Sequence, residues 1–118
     1  MMSDAKEIYV VDRAAWRAWL SENHDKVESV WLIFDKGKDR TITYDEIVEE
    51  ALCFGWIDSR GGSVDDTKSK LYMAKRKPKS NWSESNKIRV ENLKKQGLMT
   101  PAGEVAIKIA KTNGQWEK

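Results

Sequence analysis

This chain of 118 residues holds one cysteine, one histidine and two prolines. A single thiol cannot close an internal disulfide, so nothing in the sequence asks for an oxidising compartment. His24 and Cys53 are too few, and too far apart, for the Cys/His spacing that zinc needs. The carboxylates Asp58, Asp65 and Asp66 lack the alternating loop of a calcium site. No Walker-type or dinucleotide glycine pattern occurs. The expectation is a protein with no metal and no cofactor. No apolar run approaches the roughly 20 residues of a membrane span. The opening MMSDAKEIYVVDRAAW carries no apolar signal segment. Repeats and low-complexity tracts are also missing, so the expectation is a cytoplasmic protein with no membrane partner.

What is present describes a folded chain. Six tryptophans and 40% apolar residues favour a globular domain over disorder, although 34% of residues are charged. The length suits one domain, residues 1–118, with a single two-layer core. The net charge of +2 conceals a split. Residues 1–66 carry 8 basic and 15 acidic side chains, whereas residues 68–95 carry 10 basic and 2 acidic ones. A dipolar surface follows, with one face attractive to anions or simply a solvated lysine-rich face.

Periodicity sets the expected elements. KEIYVV (6–11) reads as a strand. Asp12 suits an N-cap for DRAAWRAWLSEN, where Trp16, Trp19 and Leu20 form a helical stripe that belongs in the core. VESVWLIFDK (27–36) reads as a buried strand closed by the turn KGKDR. In TITYDEIVEEALCFG, Thr43 and Glu46 fit a capping box and Gly55 suits the helix end. Trp56-Ile57-Asp58 then opens a strand. It is joined to TKSKLYMAKRK by a turn at Gly61-Gly62 or at Asp65-Asp66. KPKSNWSES reads as a loop in which Asn81 or Ser83 caps the helix ESNKIRVENLKKQG, and a last helix begins near Pro101. The order is β-α-β-α-β-β-α-α: an α+β domain with a small, mostly antiparallel sheet packed against about four helices.

Two stretches carry the candidate chemistry. In the first, ALCFGWIDSR (51–60), Trp56 and Asp58 follow a helix end. The apolar run around Cys53 reads as core, and Asp58 as a partner for Arg60 or Arg76 or as a general base. In the second, Arg76, Lys77 and Lys79 sit beside Ser80, Asn81, Trp82, Ser83 and Asn86 at the mouth of a helix. A helix N-terminus attracts anions, arginine clamps phosphate or carboxylate, and an indole stacks on a base. The competing reading makes Trp82 a hydrophobic staple and the serines caps. His24, after a helix end in SENHDK, reads as a surface or capping residue.

These stretches, with GLMTPAG and AKTNGQW, resemble the bacterial YdeI/OmpD-associated family. That family has a helix ending in ALCFGWID, a PRKPKSNWS-type loop, an N-x-x-R-V helix and a G-x-M-x-x-x-G segment. The elements Trp16–Leu20 and Val30–Leu32 match as well, so the likeness spans almost the whole chain. Lys75 stands where the pattern has proline, and typical members continue beyond the G-x-W element, so the chain resembles the family's N-terminal module. The resemblance implies a role in bacteriocin protection or stress tolerance.

If the matched positions Trp56, Asp58, Asp65, Arg76, Ser80, Trp82, Ser83 and Asn86 converge, they form one polar and aromatic pocket between sheet and helix. The leading expectation is a binding module in which Arg76, Lys77 and the N–H groups near Ser83 hold an anion. Trp56 and Trp82 would wall the site, and Asp58 would orient the arginine. The ligand would be a phosphorylated small molecule or a nucleic acid. Two alternatives stand beside it: an enzyme with Asp58 as acid/base and Arg76 as electrophile, and an interaction module whose Arg76, Lys77 and Lys79 dock an acidic protein.

Overall fold

A computed structural model of the chain describes residues 6–117. Among these residues the elements run β1 (Lys6–Tyr9), α1 (Arg13–Asn23), β2 (Ser29–Asp35), α2 (Tyr44–Cys53), β3 (Trp56–Ser63), β4 (Lys68–Lys75), α3 (Glu84–Lys95) and α4 (Pro101–Thr112). The fold is α+β in the expected order. The strands form one mixed sheet in the spatial order β1-β2-β4-β3. β1 pairs parallel to β2, with α1 as the crossover, and the other two pairings are antiparallel.

Local chemistry explains where the helices start. The Asp12 carboxylate accepts from the Ala15 N–H at 2.9 Å and caps α1. Thr43 and Glu46 cap α2 reciprocally: Thr43 Oγ1 accepts from Glu46 N–H, and Glu46 Oε1 accepts from Thr43 N–H. Ser83, not Asn81, caps α3 by accepting from Asn86 N–H at 3.1 Å. Gly55 ends α2 at φ +75°, and its bare Cα lets α4 approach, since a Cβ there would sit 3.1 Å from the Ala102 carbonyl. The β3–β4 turn is the one at Asp65, whose carboxylate accepts from the N–H groups of Thr67 and Lys68. Gly61 and Gly62 lie within β3 instead, next to a bulge between Asp58 and Gly61.

All four helices share one core with one face of the sheet. Val30, Leu32 and Phe34 of β2, and Leu71 and Met73 of β4, pack with Trp16, Leu20, Ile47, Leu52, Leu93 and Ile107. β2 alternates buried and half-buried along its length, so its second face looks away from the helices. One charge enters the core: Glu50 of α2 is 2% exposed. Arg13 Nε and Arg17 Nη1 of α1 reach it at 2.5 and 2.8 Å, which ties the two helices together by charge-assisted bonds.

Candidate functional site

The loop from β4 to α3 is built around Arg76. Its backbone N–H donates to the Gly55 carbonyl at 2.9 Å, which fastens the loop to the end of α2. Its guanidinium lies over the Trp82 ring, 3.7 Å from the centroid, and donates through Nη1 to the Asn81 carbonyl at 3.0 Å. Arg76 Nε is buried and has no hydrogen-bond partner among the described residues. Burial pushes the guanidinium down to about 10, and the charge of Asp58 opposes that shift.

The rest of the loop is equally tied down. The Lys77 N–H donates to Ser80 Oγ, and the Ser80 N–H to the Lys77 carbonyl. The Asn113 side chain, past the end of α4, donates to the Pro78 carbonyl at 2.8 Å. Trp82 is itself buried, with the Trp116 ring 4.9 Å from its own. It therefore staples the loop to the core and carries the arginine on its face. Of the two readings of Trp82, the geometry matches the staple, and the ring face read as a platform for a base carries Arg76 instead.

Arg76 stands at the edge of a cavity of about 330 Å³. Phe54 and Gly55, the turn residues His24 and Asp25, the loop residues Lys75, Lys77, Pro78 and Trp82, and the α4 residues Ala102, Val105, Ala106, Ile109 and Ala110 complete its lining. The α4 wall is apolar, and Val105 and Ile109 stay exposed, at 56% and 40%. Three cations and one carboxylate belong to the lining, so the site pairs a positive edge with an apolar wall. His24 closes α1, with Nδ1 2.8 Å from the Leu20 carbonyl and its ring tilted against Phe54.

Of the residues proposed to converge, Arg76, Lys77 and Trp82 line this cavity. Trp56 does not wall it: the indole is fully buried among core side chains, edge-on to Trp19, and its N–H donates to the His24 carbonyl. An aromatic residue that opens an inner-facing strand position is drawn into the core. Asp58 does not grip Arg76 directly. Its carboxylate accepts from the Tyr44 hydroxyl at 2.7 Å, and this bond pushes the tyrosine up to about 12. Arg60 lies on the opposite face of the sheet, near Trp31 and Tyr72. Ser80 and Ser83 serve the loop and the cap, and Asn86 accepts from Arg89, which also pairs with Asp45 at 2.6 Å. Asp65 is spent on its turn. Lys79 is exposed on the same loop. Cys53 is buried, and burial pushes its thiol up to about 11, as expected of a core cysteine.

The α4 wall and His24 were missed from the sequence. The signal available was α4 itself, where Ala102, Val105, Ala106 and Ile109 make a second apolar stripe beside the inward Gly103, Ile107 and Ala110.

The sequence profile of a domain of unknown function (DUF8412) matches residues 8–106. The chain belongs to that family. The matched span takes in the end of β1, all of β2 to β4, α1 to α3 and the first half of α4, and thus every cavity residue except Ile109 and Ala110. No curated protein and no solved structure matches the chain. Among the described residues no group of three or more His, Cys, Asp or Glu side chains is placed to hold a metal ion, and no helix is long and apolar enough to cross a membrane.

Proposed function

We propose that the domain is a binding module for a small anion with an apolar body, such as an aryl or acyl phosphate. One observation carries this reading: a largely buried guanidinium, stacked on an indole and with Nε unpartnered, edges an apolar cavity of about 330 Å³. A buried donor without a partner is disfavoured by roughly 1–3 kcal/mol, and a phosphate or carboxylate oxygen drawn in against the guanidinium would supply what it lacks. Lys75 and Lys77 add charge at the edge, and α4 supplies the contact for the apolar part. The volume is at the small end for ligand sites, which favours a compact molecule over a nucleic-acid segment. The resemblance to the YdeI/OmpD-associated family would set such binding in bacteriocin or stress tolerance.

The test is a thermal-shift titration with phenyl phosphate, alongside inorganic phosphate and benzyl alcohol as its two halves. Phenyl phosphate is expected to raise the midpoint well above either half, because both ends of the site are then filled. Arg76→Met, which keeps the stem over Trp82, should abolish the effect while folding cooperatively. Equal shifts from benzyl alcohol and phenyl phosphate, or an unchanged response in Arg76→Met, would overturn the proposal.

A further inference from the structure

The sheet face turned away from the helices has a composition unlike an ordinary wet face. Trp31 of β2 and Tyr72 of β4 are paired in register across the centre of the sheet. Their rings meet edge to face, with centroids 5.1 Å apart, and Tyr72 is buried at 7% exposure, which leaves the half-buried Trp31 as the central ring that a base can reach. Tyr9 of β1 lies further along the same side, and its hydroxyl donates to Asp35. Cations flank these rings from the β3–β4 side, while Glu7 of β1 is paired in register with Trp31 on its other side. Lys70 Nζ lies 4.6 Å from the Trp31 centroid, and the Arg60 guanidinium lies 5.8 Å from Trp31 and 5.9 Å from Tyr72. Lys68 Nζ is 5.6 Å from the Tyr9 ring. The β3 bulge falls at Arg60, which reaches this face, while Gly62, paired with Lys70, adds no side chain to it.

We propose that this face is a second binding surface, separate from the cavity, and that its occupant is single-stranded nucleic acid. Charge and ring placement together select that partner. Arg60, Lys68 and Lys70 gather on the β3–β4 half, whereas the acidic groups lie on the β1–β2 half: Glu7 beside Trp31, and Asp35, which is engaged by Lys68 at 3.4 Å and by Tyr9. A basic strip beside central aromatic rings suits a chain that alternates phosphates with flat bases. Exposed cation–π contacts are weak, so Lys70 and Arg60 swing off the rings at little cost and take up phosphates as bases replace them. Duplex ends and grooves offer no comparable stack of splayed bases to Trp31. Recognition would tolerate many sequences, since every base has a π-face.

Fluorescence anisotropy with end-labelled oligothymidylate and oligouridylate of about twelve nucleotides tests this. Three phosphate contacts predict a salt slope of about −2, a roughly fifteen-fold loss of affinity between about 50 and 200 mM salt. Trp31→Ala should weaken binding about ten-fold or more, and Trp31→Phe should retain most of it, because the stack needs a ring. Lys70→Gln and Arg60→Gln, at solvent-facing side chains, should each flatten the salt slope without changing the fold. Arg76→Met should leave oligonucleotide binding intact, which separates this surface from the cavity. The proposal is overturned if oligonucleotides fail to bind at low salt, or if Lys70→Gln and Trp31→Phe/Ala all match the parent protein. Duplex binding as tight as single strands also overturns it, as does equal displacement by a polyglutamate peptide, which would mark an acidic protein as the partner.

Discussion

Replacing Glu50 by glutamine keeps the shape of the side chain and removes its charge, so it isolates what the buried carboxylate does. Glu50 is 2% exposed, whereas Arg13 and Arg17 are 31% and 33% exposed, so both cations can regain water when their partner is lost. Two charge-assisted bonds at about 1.5–3 kcal/mol each are affected: one survives in weaker form, from an arginine to the amide oxygen, and at the other the new amide N–H₂ faces a guanidinium donor. Rehydration of the arginines returns part of the loss, which leaves a destabilisation of about 2–4 kcal/mol. For a domain of this size that is a fall of roughly 8–16 °C in the thermal midpoint. The control is Glu49→Gln, which removes a half-exposed partner 3.0 Å from Arg13 and should cost under about 1 kcal/mol. Urea unfolding of Glu50→Gln, Arg17→Met and the double variant gives the coupling directly, expected at about 1 kcal/mol or more. If Glu50→Gln is no worse than Glu49→Gln, or the two substitutions simply add, the α1–α2 ion cluster is not what holds these helices.

Two further outcomes follow from the geometry. Gly103→Ala would place a Cβ 2.4 Å from the Cys53 carbonyl and 2.7 Å from Met99 Cε, so α4 must shift; chemical denaturation should show a loss of about 2 kcal/mol or more, and a neutral result would mean that α4 slides freely. Tyr44, raised to about 12 by its bond to Asp58, should ionise late in an ultraviolet phenolate titration, and Asp58→Asn should bring it back toward 10. Because the folded value is the raised one, this bond's contribution to stability is complete below pH 10 and is lost as pH rises toward 12. Identical titrations in the two proteins would remove the Tyr44–Asp58 contact.

The features legible in the sequence are those written into a few consecutive residues. Asp12, the Thr43/Glu46 pair and Ser83 cap their helices because the acceptor and the N–H it meets are three residues apart, so the chain need not know its fold to form the bond. The alternation of Leu71 and Met73 with Lys70 and Tyr72 turns the first two to the core as expected, but Tyr72, expected on a wet face, is buried beside Trp31. The turn between β3 and β4 stayed open because two short glycine- or aspartate-bearing sites were available. The Asp65 carboxylate decides it, by accepting from two N–H groups that the turn would otherwise leave bare. The parallel pairing of β1 with β2 has no such local signature, and neither does the bulge at Asp58–Gly61. Glu50 looks from the sequence like any acidic residue of a surface helix. Only the arrival of Arg13 and Arg17 from another helix permits its burial.

The same distinction divides the candidate site. Arg76 and Trp82 are six residues apart in one loop, so their shared neighbourhood was readable, whereas the stacking of the guanidinium on the indole was not foreseen. Asp58 sits in another segment, and sequence proximity to a helix end made it look available to Arg76. In three dimensions the nearer donor is Tyr44, brought there by α2 running back along β3, and a carboxylate that already accepts a short hydrogen bond has less to offer a distant cation. Arg76 consequently keeps its charge on a surface that only partly compensates it: one carbonyl, one ring face and the longer-range field of Asp58. A loop selected for stability alone would gain by placing an apolar side chain over Trp82, since the orphaned Nε and the depressed ionisation both record desolvation left unpaid. Under the proposed anion-binding function, the guanidinium there, beside the exposed Val105 and Ile109, is the half of the site that an anion would complete.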